Sequence, residues 1–184
     1  MQNIIITECP RDAMQGLKDI IPTEVKTSYL NTLLKVGFDV MDFGSFVSPK
    51  AVPQLADTAT VLKNLDLSDT GSKLLSIVAN LRGAEEAVNY SEISYLGFPF
   101  SVSETFQKRN VNSTIAESFH TVTEIQNLCV KTNKKLIVYL SMGFGNPYGD
   151  PWNEDIVAGW ANQIINTGVE IISVADTVAV AKAN

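Results

Sequence analysis

Short apolar runs recur along the 184-residue chain, and a segment with helical spacing separates each run from the next. The runs are rich in Ile, Leu and Val and do not alternate with polar residues. Such continuous runs are typical of parallel strands that are buried on both faces. They predict six strands, at residues 3–7, 37–43, 73–80, 92–98, 135–142 and 169–176.

Three of the intervening segments begin with clear helical signals. One helix is predicted to start near Thr23, where apolar residues take up a spacing of three and four. Another starts at Thr114, with Glu117 three residues later as a capping box. A third has Asp150 as its N-cap, followed by a proline at the first helical position. The alternation of strand and helix predicts an α/β protein built from repeated βα units.

Six βα units in a chain of this length fit two architectures. One is a complete, open, doubly wound sheet, and the other is six-eighths of a (β/α)8 TIM barrel, which usually takes about 250 residues. Polar residues follow most of the predicted strands, and a barrel brings all of its strand ends to one point. We therefore expect strands one to six of a TIM barrel, in a single domain over residues 1–184. The polar residues are Arg11, Asp12, Asp42, Ser45, Asn80, Ser141, Asp176 and Thr177.

Charge and composition exclude several classes of protein. The net charge is −6 and the basic residues are scattered, which argues against a nucleic-acid or anionic-membrane partner. No apolar run approaches the ~18 residues of a membrane span, and no targeting segment is evident, so we expect a cytoplasmic protein. Cys9 and Cys129 lie far apart without CxxC spacing, which argues against a disulfide framework. We expect both cysteines to pack in the interior, and the single histidine, His120, to lie on a helix surface.

Six motifs lie at the junctions that follow the predicted strands. They are PRDAMQ (10–15), SFVSPKAVPQLAD (45–57), ANLRG (79–83), SETFQKRNVNSTIAESF (103–119), GNPYGD (145–150) and ISVADT (172–177). Together they resemble the hydroxymethylglutaryl-CoA lyase family, whose members are metal-dependent carbon–carbon lyases with a TIM barrel. The resemblance extends from Ile4 to the last residues. It implies an enzyme that cleaves 3-hydroxy-3-methylglutaryl-CoA to acetoacetate and acetyl-CoA, in leucine degradation or ketone-body formation.

The resemblance also implies roles for individual residues. Asp12 would be a ligand of a divalent cation, Mg or Mn, for which a hard carboxylate oxygen is suited. Arg11 would steady the enolate charge on the thioester oxygen, because its guanidinium stays charged and its donors are rigidly placed. For an arbitrary sequence, the same Arg-Asp pair is more often an exposed surface ion pair.

Further family positions lie near the acyl-CoA substrate. Asp42 and Asp176 would be catalytic, and the substrate-binding residues would be Arg11, Gln15, Ser45, Asn110 and Thr177. Loop Gln and Ser residues are also frequent turn formers, and Asp176 has the alternative role of a helix N-cap. Lys50 has the alternatives of a CoA-phosphate contact and a solvated loop lysine, and the second is favoured.

The sequence also departs from the family pattern. Thr7 holds the position of a family Glu, and Glu8 follows one residue later, so Glu8 reaches the site only if a bulge intervenes. Asp42 is one methylene shorter than the family Glu. The family's His-x-His and its catalytic Cys correspond to positions after Asn184, so we expect an N-terminal portion that is inactive alone.

Three other readings stay open. Two are a related metal-dependent aldolase and an acyl-CoA Claisen synthase; the third is a non-catalytic binding protein derived from the lyase. A homo-oligomer is also compatible with the sequence.

Overall fold

The sheet of the protein contains six parallel strands in chain order. The computed structural model describes residues 4–182. In these residues the strands lie in the order β1-β2-β3-β4-β5-β6, and every neighbouring pair is parallel. This order confirms the predicted succession of strands and contradicts the doubly wound alternative, whose strand order reverses. The strands are β1 (Thr7–Glu8), β2 (Val40–Ser45), β3 (Lys73–Ile77), β4 (Ile93–Ser101), β5 (Lys135–Ser141) and β6 (Ile171–Val174).

Helices connect the strands and cover one side of the sheet. They are α1 (Pro10–Gln15), α2 (Thr23–Leu34), α3 (Thr58–Lys63), α4 (Leu81–Ala87), α5 (Glu104–Val111), α6 (Ile115–Lys131) and α7 (Glu154–Ile165), with a short 3₁₀ helix at Pro53–Leu55. The predicted capping box is confirmed, since the Thr114 hydroxyl and the Glu117 carboxylate each accept a hydrogen bond from the other residue's backbone. The sequence pattern predicted neither α1 nor α5.

The two faces of the sheet have different partners. One face packs against the helices through large buried side chains such as Phe43, Phe98 and Phe100, in one cluster with residues of five helices. The other face carries a smaller cluster formed by strand residues, Val40, Leu75, Ile77 and Ile137, with Tyr95, Tyr139 and Ile171 beside them. We call it the inner face. Helices on one face only are what a barrel wall requires, because the opposite face of each strand points into the barrel.

A bulge in β2 changes which of its side chains reach the inner face. Asp42 pairs with Leu75, but Gly44 pairs with Ser76 and Ser45 with Ile77, so β2 has one residue more than β3 in this stretch. A Cβ atom on Gly44 would lie 2.6 Å from the Thr58 side chain, which places this residue on the helix side. Asp42 and Ser45 consequently share the inner face although they are three residues apart.

The first strand is shorter than predicted. Of residues 3–7, only Thr7 belongs to β1, and Asn3 lies outside the described residues. Ile4, Ile5 and Ile6 are exposed. Within β1, Thr7 pairs with Val40 and Glu8 with Met41, without a bulge. Glu8 therefore lies on the helix side of the sheet.

The predicted start of the last helix was wrong. The N-cap of α7 is Asn153, whose side-chain oxygen accepts a hydrogen bond from the backbone N–H of Ile156 at 2.8 Å. Asp150 instead accepts hydrogen bonds from the hydroxyl of Ser103 and from the backbone and hydroxyl of Thr105. Its carboxylate is thus used at the start of α5, in the preceding βα unit.

The remaining general predictions had mixed outcomes. Cys129 is fully buried, as predicted, and burial raises the pKa of its thiol to about 12. Cys9 is exposed, so its predicted interior packing was wrong. His120 is exposed on α6, where it lies 3.2 Å from Glu124, and Lys50 is exposed in its loop. Among residues 4–182, none of the helices has the length and apolarity that crossing a bilayer requires.

Candidate active site

The site is centred on a buried ion pair between Arg11 and Asp42. Pro10 starts α1 directly after β1, and this short helix packs against β2. Its Arg11 is 9% exposed and reaches Asp42, which is 1% exposed. The Arg11 Nε lies 3.1 and 3.0 Å from the two carboxylate oxygens, and Nη2 lies 2.7 Å from Oδ2. Arg11 therefore forms a buried ion pair with Asp42, and not only an ion pair at the exposed surface.

Two neighbours complete the surroundings of the guanidinium. Arg11 Nη1 donates a hydrogen bond to the Gln15 side-chain oxygen at 2.7 Å, one helical turn along α1. The same nitrogen lies 3.2 Å from Asp12 Oδ1, whose side chain is 72% exposed. Since a guanidinium has five N–H donors, Asp42 and Gln15 leave further N–H groups on Nη1 and Nη2. One of them belongs to Nη1, the nitrogen that lies near Asp12, and the other belongs to Nη2.

Burial and charge act on the titration of the pair in opposite directions. Burial disfavours a charged guanidinium, but the hydrogen bonds and charge of Asp42 outweigh it and raise the pKa of Arg11 above its ordinary value. Burial also raises the pKa of Asp42, and the hydrogen bonds and charge of Arg11 offset only part of this shift. The guanidinium stays charged throughout the physiological range, and its partner is a carboxylate with little access to water.

Tyr139 is a site residue that was not predicted from the sequence. It belongs to the inner-face cluster, and burial raises the pKa of its hydroxyl, with a further contribution from the charge of Asp42. The signal in the sequence was a tyrosine inside the apolar run of β5, two residues before Ser141. Tyr139 adds a phenol to the same face of the sheet as the ion pair.

The predicted substrate residues of the second and fourth βα units are placed differently. Ser45 is buried at the end of β2, and its hydroxyl oxygen accepts a hydrogen bond from the backbone N–H of Val47 at 3.3 Å. Asn110 lies exposed near the end of α5. Ser45 therefore shares the inner face with Asp42, whereas no contact joins Asn110 to the Arg11–Asp42 pair among the described residues.

Asp176 and Thr177 follow β6 and shape a turn. The Asp176 carboxylate accepts hydrogen bonds from the backbone N–H groups of Val180 and Ala181, each at 2.9 Å, and these bonds lower its pKa. The Thr177 hydroxyl accepts a hydrogen bond from the backbone N–H of Met142 at 2.8 Å. Both residues thus organise backbone at the carboxyl ends of β5 and β6. The structure shows neither in contact with the ion pair.

One further expectation needs correction. Asp42 was grouped with the polar residues at the end of the second predicted strand, but it lies three residues before the last residue of β2. Its side chain consequently enters the inner face below the carboxyl-terminal edge, and Arg11 reaches down to it from α1. Of the polar residues predicted at strand ends, Arg11 and Asp12 lie in α1 directly after β1 and Ser141 is the last residue of β5, whereas Asp42 lies deeper.

A metal site is not assembled within the described residues. Asp12 offers exposed carboxylate oxygens, which suit Mg or Mn in chemical type. Residues 4–182, however, contain no group of three or more His, Cys, Asp or Glu side chains that could hold a metal ion. Asp12 alone does not fix a divalent cation, because ligand number and geometry set the affinity for such ions.

Comparison with known proteins identifies relatives along nearly the whole chain. Residues 3–184 match the family model described as HMGL-like. The mitochondrial hydroxymethylglutaryl-CoA lyase of Mus musculus is 35% identical over 178 residues, which are 96% of this chain and 54% of that protein. A hydroxymethylglutaryl-CoA lyase of Bacillus subtilis is 32% identical over 172 residues, 94% of this chain and 57% of that protein. The chain thus spans about half the length of the curated relatives it matches.

Solved structures give the same result for the fold. The crystal structure of a Bacillus subtilis HMG-CoA lyase matches with a TM-score of 0.91 and 32% identity, over 97% of this chain and 60% of that one. An Acinetobacter baumannii HMG-CoA lyase in complex with coenzyme A and 3-methylmalate matches with a TM-score of 0.89 and 30% identity, over 97% and 58%. The six strands are therefore a partial TIM barrel, as predicted, and the chain belongs to the HMGL-like family.

Proposed function

We propose that this chain supplies part of the active site of a hydroxymethylglutaryl-CoA lyase, which cleaves 3-hydroxy-3-methylglutaryl-CoA to acetoacetate and acetyl-CoA. Family membership and the names of the relatives support this assignment. The observation that carries it is the guanidinium of Arg11, held on the inner face by a buried carboxylate. The proposal covers the acyl-CoA substrate as well as the reaction.

The reaction needs a fixed cation at one oxygen. The bond between the carbinol carbon and the thioester methylene breaks, and its electron pair moves into the thioester to form an enolate. The tertiary hydroxyl loses its proton and becomes the ketone of acetoacetate, and protonation of the enolate carbon gives acetyl-CoA. Negative charge therefore develops on the thioester oxygen. A donor that is already oriented before the reaction stabilises this charge without further reorganisation.

Arg11 has the properties that this role requires. Its bonds to Asp42 and Gln15 fix the plane of the guanidinium, and the remaining N–H groups on Nη1 and Nη2 can donate to the thioester oxygen. Asp42 holds the guanidinium but binds only some of its N–H groups. In this proposal Asp42 is the residue that orients Arg11, and Gln15 binds both Arg11 and the substrate.

A divalent cation is a further part of the proposal. Bound to the substrate hydroxyl, such an ion would lower the pKa of that hydroxyl and orient the substrate. Asp12 would contribute one carboxylate oxygen, and the described residues do not supply the other protein ligands. Mg and Mn are equally compatible with an oxygen ligand.

The remaining predicted residues have supporting roles in the proposal. Ser45 and Thr177 lie at the ends of β2 and β6, where loop backbone meets the substrate side of a barrel. Asp176 would act by holding the turn that contains Thr177, since its carboxylate is occupied by backbone N–H groups. Asn110 would reach the acyl-CoA from the exposed end of α5.

The test is an assay of acetoacetate release by the protein expressed from its complete reading frame, with Mg or Mn present. We expect release from 3-hydroxy-3-methylglutaryl-CoA, and a loss of roughly 10²–10³-fold in turnover for Arg11→Met, as for the loss of one oxyanion donor. Lys131→Met, which changes an exposed basic residue at the end of α6, outside the six strand-end motifs, is the control and should keep wild-type turnover.

The same assay separates the alternatives. Turnover of other hydroxyacyl-CoA or aldol substrates in place of this one would support a related aldolase or Claisen synthase. Binding of acyl-CoA without any turnover would support a non-catalytic protein. Turnover of Arg11→Met within a few-fold of wild type would remove Arg11 from the proposed mechanism.

A further inference from the structure

A buried lysine, Lys26, joins α2 to the loop that follows β2, close to the Arg11–Asp42 pair. Lys26 lies in the second turn of α2 and is 2% exposed. Its amine donates hydrogen bonds to the backbone oxygen of Gln54 and, at 2.8 Å, to the carboxylate of Asp57. The other Asp57 oxygen accepts a hydrogen bond from the Thr23 hydroxyl at 2.7 Å. The amine of Lys26 thus has two acceptors in the loop between β2 and α3.

The side chain of Gln54 extends the same network. It is 2% exposed, and its oxygen accepts a hydrogen bond from the backbone N–H of Ile21 at 2.9 Å. Its amide nitrogen donates to the backbone oxygen of Asp19 at 3.0 Å. We call these contacts the Lys26 network; its members are Asp19, Ile21, Thr23, Lys26, Gln54 and Asp57. It joins the segment that follows α1 to the loop that follows β2.

The network lies next to the elements that hold the ion pair. Gln54 is in the 3₁₀ helix Pro53–Leu55, and α1 packs against this helix as well as against β2. Arg11 is on α1, and Asp42 is on β2. A fixed position of the 3₁₀ helix therefore constrains α1 through one set of contacts, while β2 constrains it through another.

A buried ion pair is a weak source of stability but a strong constraint on geometry. Desolvation of the two charges cancels most of their attraction, so an apolar replacement of similar volume is often equally stable. The bonds of Lys26 and Gln54 nevertheless permit one placement of the loop relative to α2. Apolar contacts alone would tolerate sliding of the loop, because they have no directional requirement.

We propose that Lys26 is a positioning residue: through Gln54 and Asp57 it fixes the loop after β2 against α1, and so holds Arg11 on Asp42. The importance of this for catalysis rests on the proposed function. The link between Lys26 and the Arg11 side chain is independent of the proposed function, and the test below measures that link directly.

The experiment follows solvent exchange of the Arg11 Nε–H by NMR in the 184-residue chain, with the resonance assigned by its loss in Arg11→Met. In Lys26→Met, we expect this proton to exchange about tenfold faster, which corresponds to a local opening that is easier by about 1.4 kcal/mol. Backbone amides of residues 45–57 should lose protection in the same variant. Asp57→Asn keeps the shape of the side chain and removes its charge, and should act in the same direction.

Two control variants make the result specific. Lys135→Met removes an ion pair with Glu170 whose side chains are 57% and 68% exposed at the opposite end of the sheet, and should leave Arg11 exchange unchanged. Val61→Ala makes a cavity in α3, near Asp57, and lowers global stability without removing a polar contact. Exchange of the Arg11 Nε–H in Val61→Ala should therefore be no faster than its lower global stability accounts for.

The outcomes decide the proposal separately from the lyase assay. Unchanged Arg11 exchange in both Lys26→Met and Asp57→Asn would overturn it, as would equal acceleration by Val61→Ala. If Lys26→Met does not fold, Asp57→Asn decides on the same criterion. Faster Arg11 exchange without any acetoacetate release from the complete protein would retain the positioning role and reject the proposed function.

Discussion

Removing the members of the Arg11–Asp42 pair singly and together should show how strongly the two residues depend on each other. Arg11→Met leaves the carboxylate of Asp42, which is 1% exposed, without a charged partner. Three N···O contacts of 2.7 to 3.1 Å are lost. Removal of one partner from a buried pair typically costs about 3–5 kcal/mol. Because the guanidinium is not fully buried, we expect a loss near the lower end, about 3 kcal/mol in the free energy of unfolding.

The double variant Arg11→Met/Asp42→Leu should recover most of that loss. It removes both charges, so no uncompensated charge remains in the interior, and replacement of a buried pair by apolar residues is often neutral. Together with the single variant Asp42→Leu, these two variants form a double-mutant cycle with an expected coupling energy of about 2 kcal/mol or more. Urea unfolding followed by circular dichroism measures each value.

The pH dependence of Arg11→Met provides a second check. Burial already raises the pKa of Asp42 in the wild type, and loss of Arg11 removes the influence that opposes this rise. The folded variant then binds a proton more tightly than the unfolded chain does, so its stability falls as pH rises from the unfolded pKa through the folded one. The deficit of Arg11→Met should therefore be smaller at pH 5 than at pH 7. A loss below about 1 kcal/mol at pH 7, or additive single variants, would refute the dependence of Asp42 on Arg11.

Three further outcomes are expected. In the complete protein, Asp12→Ala should weaken binding of Mg or Mn measured by calorimetry, and an unchanged affinity would exclude Asp12 as a ligand. The 184 residues alone should release no acetoacetate from 3-hydroxy-3-methylglutaryl-CoA with either ion, because residues 4–182 contain no metal-binding cluster; turnover equal to that of the complete protein would contradict this. Hydrogen bonds, chiefly from Ser103, lower the pKa of Asp150 in the folded protein. The ionised carboxylate therefore stabilises the fold above the ordinary pKa of about 3.8, and this stabilisation is lost as pH falls through the pKa of the folded state. Asp150→Asn should accordingly be less stable than wild type at pH 7 and approach it in acid; a deficit in thermal unfolding temperature that does not change with pH would count against the carboxylate.

Local patterns were sufficient to predict most of the fold. The apolar runs identified all six strands, and the capping box at Thr114 located the start of α6 correctly, because these signals act within a few residues. The start of α7 was misplaced because Asp150 and Asn153 are both good N-cap residues. The choice between them depends on Ser103 and Thr105, which are more than forty residues away in sequence and capture the Asp150 carboxylate.

The candidate site was less predictable for the same physical reason. Family resemblance indicated Arg11, Asp12 and Gln15, and the structure brings all three together. The pairing of Arg11 with Asp42 spans 31 residues and depends on how α1 packs against β2, which no local pattern contains. Tyr139 was missed because a tyrosine inside an apolar strand is ordinarily a packing residue.

The bulge in β2 has a consequence for changes in the length of this strand. Its extra residue lets Asp42 and Ser45 keep the inner face, while Gly44 remains beside Thr58. A deletion that removed the extra residue would restore regular alternation, and both polar side chains would stay inside. An insertion between them that left the bulge in place would turn Ser45 and the loop behind it toward the helices, because one more alternating step would separate the two side chains. A change of one residue in the length of this part of β2 therefore keeps both polar side chains inside only if the strand loses its bulge at the same time.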